Sequence, residues 1–450
     1  MYVNGEDDSN EAADIYVELG LLFHAANRFD EAQSYYNLAM QMYIRLGGME
    51  TDAVTDVLLK MAFSYRKMGD LDEARSRYEQ AIAILINMHG PDHLSVASAL
   101  ASLSALSFYE KRYDNALELS NQVLAIRKKA LGHYHIDVIN TMFNTAKIME
   151  RVGKHAEALE MAITVHKWRK INLEQNNVDI LHCLVFVANM NRKLGSLEEA
   201  MQHNDEVIAF LQKLNSEDDL DIMERYAFAA DIHRARNCYD DAEHLLRAVV
   251  NRFAEIRGEK DMETVQYMYQ LATLLRKLCK YEEADVLFKH ACQAQVESLG
   301  PDSPVVAATY NSMGVMYVDQ DRLEDARHLF EEALSIRKKN FGTDDHLEVA
   351  ASINNLAGVY DTMGDFSKAE ELYKKSLTIR LRLCGKKHPA VAQSLSNLGN
   401  MYLMMGRFSD AEPVFTESLR IYQATFGEQH PATCDMTNNL ACKEYANVTV

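Results

Sequence analysis

Five histidines recur in step along this 450-residue chain: His93, His135, His346, His388 and His430. Imidazoles in series are the side chains best suited to ligate a metal ion. Their spacing argues against that use. They occupy one place in a repeating unit, and neighbouring units pack about one helix diameter apart, ~10 Å. No tetrahedral site closes over such a gap. Seven cysteines, at 183, 238, 279, 292, 384, 434 and 442, form no C-x-x-C pair, so neither a zinc site nor a disulfide framework is indicated. No phosphate-cradling glycine loop, H-E-x-x-H or G-x-S-x-G pattern occurs. Adjacent carboxylates such as Asp72-Glu73, Glu198-Glu199 and Glu282-Glu283 fall in the first turns of helices, where they offset the helix dipole. The expectation is a non-enzymatic chain that holds no metal and no cofactor.

The elements that position any site are set by a ruler. Alanines stand at Ala32, Ala74, Ala116, Ala158, Ala200, Ala242, Ala284, Ala326, Ala369 and Ala411, separated by 42 residues with a single gap of 43. Three residues before each comes a bulky residue, from Phe29 to Phe408. Twelve before comes a small one, from Gly20 to Gly399. Apolar residues such as Leu347, Val349, Ala350, Ile353, Leu356, Ala357 and Tyr360 keep a 3.6-residue period, then Gly364 stops the helix and a second begins near Ser367. Each repeat therefore reads as an antiparallel helical hairpin, with the small residue facing the alanine. A period this strict implies one stacked array rather than several globular domains. The hairpins span about 10–47, 52–89, 94–131, 136–173, 178–215, 220–257, 262–299, 304–341, 347–384 and 389–426. A capping helix follows at 431–446, with Leu440 and Ala441 turned inward and Lys443 and Glu444 outward. The whole is expected to be a single solenoid over 1–450.

Between hairpins a glycine recurs, as at Gly90 and Gly300, replaced by Glu174 and Ser216 at two junctions. The residue that lengthens one gap to 43 is placed within Thr343–Asp345, in a loop. Hairpins three to six lose the aromatic pair kept elsewhere (Tyr360 with Tyr373), carrying Ser107 with Ser120, Met149 with Ala162, Asn191 with Asn204 and His233 with Leu246. Less ring burial predicts a softer middle. Trp168, the sole tryptophan, is placed in the core by register.

The pattern resembles the tetratricopeptide repeat. It keeps the small–aromatic–alanine spacing of Ala357, Tyr360, Phe366 and Ala369. The 42-residue period and the Leu299–Asp302, His388-Pro389 and His430-Pro431 junctions look like the kinesin-light-chain type. That resemblance implies an all-α, right-handed superhelical solenoid of ten hairpins plus a C-terminal capping helix, with the first helix of each hairpin lining a concave wall. It also implies a peptide or protein ligand in that groove, often an acidic segment, and a possible motor or cytoskeletal partner.

Helical spacing then selects the exposed stripe beside the buried one, 18, 14, 11 and 7 residues before each signature alanine. It contains Asn140, Asn144, Lys147 and Arg151; Asn189 and Lys193, with His182 and Phe186; Lys277, with Gln266 and Gln270; and Asn355, Asn397 and Asn400, with Gln393. Amides can bond both N–H and C=O of an extended peptide, and cations can hold carboxylates. Several of the cations sit in last turns of helices, where the dipole alone favours them by ~0.3–1 kcal/mol. The Asn and Gln upstream are mediocre helix formers. They therefore point to an adaptor or scaffold whose groove binds short, acidic peptide segments. The alternative is a structural protein that self-assembles through its ends or convex face. A net charge of −19 disfavours nucleic acid, no stretch is apolar enough to insert in a membrane, and the acidic start lacks a signal core, so a cytoplasmic location is expected.

Overall fold

The computed structural model describes residues 9–214, 220–428, 432–438 and 440. Among them the secondary structure is all helical, and the helices follow one another as antiparallel pairs. The chain divides into two compact units, Met1–Glu217 and Asp218–Val450. The first holds the hairpins α1 (Asn10–Ala25) with α2 (Phe29–Gly47), α3 (Asp52–Met68) with α4 (Leu71–His89), α5 (Leu94–Tyr109) with α6 (Tyr113–Leu131), α7 (Ile136–Val152) with α8 (His155–Asn172), and α9 (Val178–Lys193) with α10 (Leu197–Leu214). The second holds α11 (Leu220–Ala235) with α12 (Tyr239–Arg257), α13 (Met262–Lys277) with α14 (Tyr281–Leu299), α15 (Pro304–Asp319) with α16 (Leu323–Phe341), α17 (Leu347–Thr362) with α18 (Phe366–Cys384), and α19 (Pro389–Met404) with α20 (Phe408–Phe426). Each unit is an all-α solenoid of hairpins. No described helix is long and apolar enough to cross a membrane.

Every second helix starts on the bulky residue three before its alanine. The turn in front of it needs one residue with a left-handed backbone. Glycine supplies it at Gly69, Gly153, Gly195, Gly364 and Gly406, while Asn27, Lys111, Asn237, Cys279 and Asp321 adopt positive φ without being glycine. At the other end, Gly90 and Gly300 take φ 85° and 83° with ψ 161° and 158°, a region essentially restricted to glycine. Gly342 alone among these junction glycines is left-handed (φ 63°, ψ 11°), beside the extra residue.

The stepped histidines are N-caps. The Nδ1 atoms of His93, His135, His346 and His388 accept the backbone N–H two residues on, at 3.3, 3.2, 3.2 and 3.1 Å. Ser9, Thr51, Asn177, Asp261 and Ser303 do the same work in other repeats. An unprotonated nitrogen thus satisfies an otherwise orphaned donor. His430 lies outside the described residues.

The small residue of the leading helix faces the signature alanine in the third hairpin, where Ser104 donates to the Ala116 carbonyl at 2.8 Å, whereas the glycines lie against a ring. A Cβ added at Gly20, Gly314 or Gly399 would come within 2.4, 2.9 or 2.7 Å of the ring of Tyr36, Phe330 or Phe415, four residues after the signature alanine. At these three positions the glycine makes room for the ring.

Trp168 is only half-buried, packed on the edge of the core, whereas its neighbour Arg169 is 3 % exposed. The register puts the aromatic ring at the rim because the guanidinium turns inward to donate to the Asp179 carbonyl and Asn140 Oδ1. At the C-terminal end Thr433 and Met436 are buried and Leu440 packs against the core. Ala441, Lys443 and Glu444 lie outside the described residues.

Candidate interaction face

In the N-terminal unit, α7 and α9 carry six of the stripe residues. Asn144, Lys147 and Arg151 are exposed along α7, and Asn140 is half-buried. Asn144 and Lys147 open onto a cavity of about 260 Å³ between α5, α6 and α7. Its other walls are Ala101, Ser104 and Ala105 on α5, Ser120 and Arg127 on α6, and Thr141 on α7. Small side chains on α5 leave the space. Ser104 is the small residue of the ruler, but Ala101 and Ala105 were not singled out from sequence, although the run Ala99 to Ala105 (ALASLSA) contains no residue larger than leucine.

The electrostatics centre on Phe143. Its ring is 4 % exposed and has the Lys147 ammonium 4.4 Å from its centroid and the Arg169 guanidinium 4.7 Å away. Arg169 is held by the Asp179 carbonyl and by Asn140 Oδ1, each at 2.9 Å. Burial, followed by repulsion from Arg169, pulls the Lys147 ammonium below the usual lysine range. Burial likewise pushes the neighbouring Cys183 thiol up to about 12. Asn140 is thus occupied in holding Arg169. On α9, Asn189 is half-buried, and Lys193 pairs with Glu150 of α7 at 2.6 Å. Arg151 makes no ion pair among the described residues; it borders a shallow opening near Arg112 and Tyr113.

The C-terminal unit treats the same stripe differently. Asn355 of α17 donates to Asn311 of α15 at 2.7 Å, and Gln393 donates to Asn397 within α19 at 3.0 Å. Asn400 is exposed, as is Lys277, whose ammonium lies 5.7 Å from the Tyr239 ring. Leading helices approach each other directly here, α13 against α15 and α17 against α19, and no two consecutive second helices come as close among the described residues. An opening of about 430 Å³ includes Gln266 and Tyr269 of α13 with Thr309, Arg337 and Glu348.

Sequence reasoning missed a row of arginines eleven residues after the signature alanine. Arg169, Arg337 and Arg380 are nearly buried and reach across to the next leading helix. Arg337 bonds the Glu348 carbonyl and Ser352 Oγ, and Arg380 the Ala390 carbonyl and Ser394 Oγ. Their shared register with Arg127, and for Arg127, Arg337 and Arg380 the serine or threonine fourteen or fifteen residues later, was the available signal.

A family profile described as tetratricopeptide repeat matches residues 54–110, 104–166, 223–295, 261–339, 305–382, 348–424 and 391–446, and another of the same description matches 13–43. A curated relative, the uncharacterized protein ycf37 of Pyropia yezoensis, is 34 % identical over 77 residues, which are 17 % of this chain; the chain spans 38 % of that relative's length. The apo quorum sensor NprR from B. thuringiensis superposes with a TM-score of 0.56 at 14 % identity, over 82 % of this chain and 99 % of that one. A Podosopora anserina structure described as kinesin light chain nearly identical TPR-like repeats gives 0.43 at 20 % identity, over 47 % and 100 %.

Proposed function

The chain belongs to the tetratricopeptide repeat family, and we propose that it is a non-enzymatic scaffold whose leading-helix face binds short acidic peptide segments of a partner protein. The observation that carries this reading is the paired cation around Phe143. In a chain of net charge −19, Lys147 and Arg169 share one ring, and the lysine is depressed first by burial and then by repulsion from Arg169. A ligand carboxylate beside Lys147 relieves that repulsion, and does so in a partly desolvated place where the attraction is stronger than in bulk water. Asn144, one helical turn away on the same cavity wall, offers both a donor and an acceptor to the peptide backbone. Arg151 extends the cationic edge by one further turn.

Fluorescence anisotropy with labelled extended peptides tests the reading. Peptides carrying Asp or Glu bind, and their Asn or Gln isosteres bind at least tenfold more weakly, about 1.4 kcal/mol. Affinity falls as pH rises through the depressed lysine value, because the ammonium is the form that attracts the carboxylate. Equal binding of the charged and isosteric peptides refutes the proposal.

A further inference from the structure

Across the array one local arrangement recurs at the turn between the two helices of a hairpin. A ring near the end of the leading helix lies under a cation that precedes the second helix, and the cation pairs with a carboxylate in that helix's first turn. Arg28 lies 4.6 Å from Phe23 and pairs with Glu31. Arg322 lies 4.1 Å from Tyr317 and pairs with Asp325. Arg407 lies 4.4 Å from Tyr402 and pairs with Asp410. The positive charge bridges the π face and the carboxylate, so the turn is tied on both sides.

The sixth hairpin keeps the carboxylate and changes the rest. At the three equivalent positions stand His233, Cys238 and Asp241. An imidazole replaces the ring and a thiol replaces the cation. One ligand atom from each, an imidazole nitrogen, Sγ and a carboxylate oxygen, all lie within 4.8 Å of one another. His233 Nδ1 is 3.7 Å from Asp241 Oδ2, beyond hydrogen-bond reach, and is shielded from solvent without a hydrogen-bond partner. Cys238 and Asp241 are exposed, so the cluster is open on one side. The backbone is already closed around it, with Cys238 N–H donating to the His233 carbonyl at 2.9 Å.

We propose that His233, Cys238 and Asp241 form a three-ligand site for a divalent transition metal of zinc type, the ion taking the bridging place that a guanidinium holds in the first, eighth and tenth hairpins. Thiolate, imidazole and carboxylate together suit Zn²⁺ better than Mg²⁺ or Ca²⁺, which prefer oxygen donors. Zinc distances of about 2.3 Å to sulfur and about 2.0–2.2 Å to nitrogen and oxygen put tetrahedral ligand atoms roughly 3.3–3.7 Å apart. The His233–Asp241 separation of 3.7 Å is slightly longer than the ~3.3–3.5 Å of a nitrogen–oxygen pair, and small side-chain rotations close all three ligands. Binding releases the thiol proton, and water completes the fourth position on the exposed side. Unlike the stepped histidines, whose places lie in successive repeats, these three residues belong to a single turn.

Cobalt substitution on the full-length, reduced protein tests the site. One equivalent of Co²⁺ gives a thiolate-to-cobalt charge-transfer band and tetrahedral d–d bands, both displaced by Zn²⁺, and Zn²⁺ raises the melting temperature. The bands are lost in Cys238→Ser and in His233→Gln, and the melting shift disappears with them, while Cys279→Ser retains both. Absence of a cobalt–thiolate band in the wild-type protein, its persistence in Cys238→Ser, or its loss in Cys279→Ser overturns the assignment.

Discussion

The two units build one repeat in different ways. In the C-terminal unit, most of the core is one connected cluster from Ala230 to Met436, filled by Phe288, Phe330, Tyr373 and Phe415 four residues after successive alanines. In the N-terminal unit, among the described residues, separate clusters centre on α1–α4, α3–α6 and α6–α9. There Tyr36 and Tyr78 keep the ring in the first two hairpins, but Ser120, whose hydroxyl meets Thr145 Oγ1 at 2.7 Å, and Ala162 replace it in the third and fourth. The polar face follows the same division. Stripe amides of the C-terminal unit bond each other, while Asn144 and Lys147 of the N-terminal unit face a cavity. Around Phe330 and Phe415 the stripe closes on itself; around Ser120 and Ala162 a polar wall remains, with Lys147 and Arg169 in no ion pair among the described residues.

The largest test of that contrast is ring removal. Phe415→Ala is expected to lower stability by about 3–5 kcal/mol, whereas Ser120→Ala costs about 1 kcal/mol; chemical denaturation measures both. Similar costs at the two sites would erase the distinction. Next comes overpacking. Gly399→Ala places a methyl 2.7 Å from the Phe415 ring and should destabilise by roughly 1–3 kcal/mol. The same assay reads it, and a neutral result would mean the ring has room to move.

Hydrogen exchange gives a middle-sized effect. Amides of α6–α9 are expected to exchange faster than those of α14–α19, since the former lack the connected ring core. At the turns, Lys111 holds a left-handed backbone (φ 62°) that glycine adopts without strain. Lys111→Gly should therefore stabilise by about 0.5–1 kcal/mol, seen as a rise in the denaturation midpoint.

The smallest effect is electrostatic. Hydrogen bonding to Lys374, with Tyr402 and Arg407 adding to it against the opposing effect of burial, pulls the Glu370 carboxyl down to about 2. A depressed carboxylate stabilises the fold above its ordinary pKa, near 4.3, and that contribution is lost as pH falls toward 2. Glu370→Gln should cost under about 1 kcal/mol at neutral pH, and the difference from wild type should shrink across the window from about 4.5 to 2. A difference that grows on acidification would contradict this assignment.

Much of the architecture was readable because period and chemistry coincide. Helix starts follow the alanine ruler since Phe366 or Leu323 must plug the hairpin and Ser303 or His388 must cap the next helix. Less was readable where the backbone overrides residue type. Lys111 and Cys279 sit in a glycine conformation that no propensity announces, and the carbonyl acceptors of Arg169, Arg337 and Arg380 belong to the next repeat, so no single repeat shows those cations buried. The stripe through Asn144 and Lys147 followed from helical spacing. Whether an amide there meets another amide, as Asn355 meets Asn311, depends on the distance between leading helices, which no single repeat encodes.

Selection of a random decapeptide library by the wild-type chain and by Lys147→Met measures the role of the paired cations directly. Wild-type protein should enrich sequences bearing Asp or Glu at a fixed position, and the variant should lose that enrichment while keeping its fold. Recovery of the same acidic sequences by both proteins would remove Lys147 from recognition and the acidic-peptide reading with it.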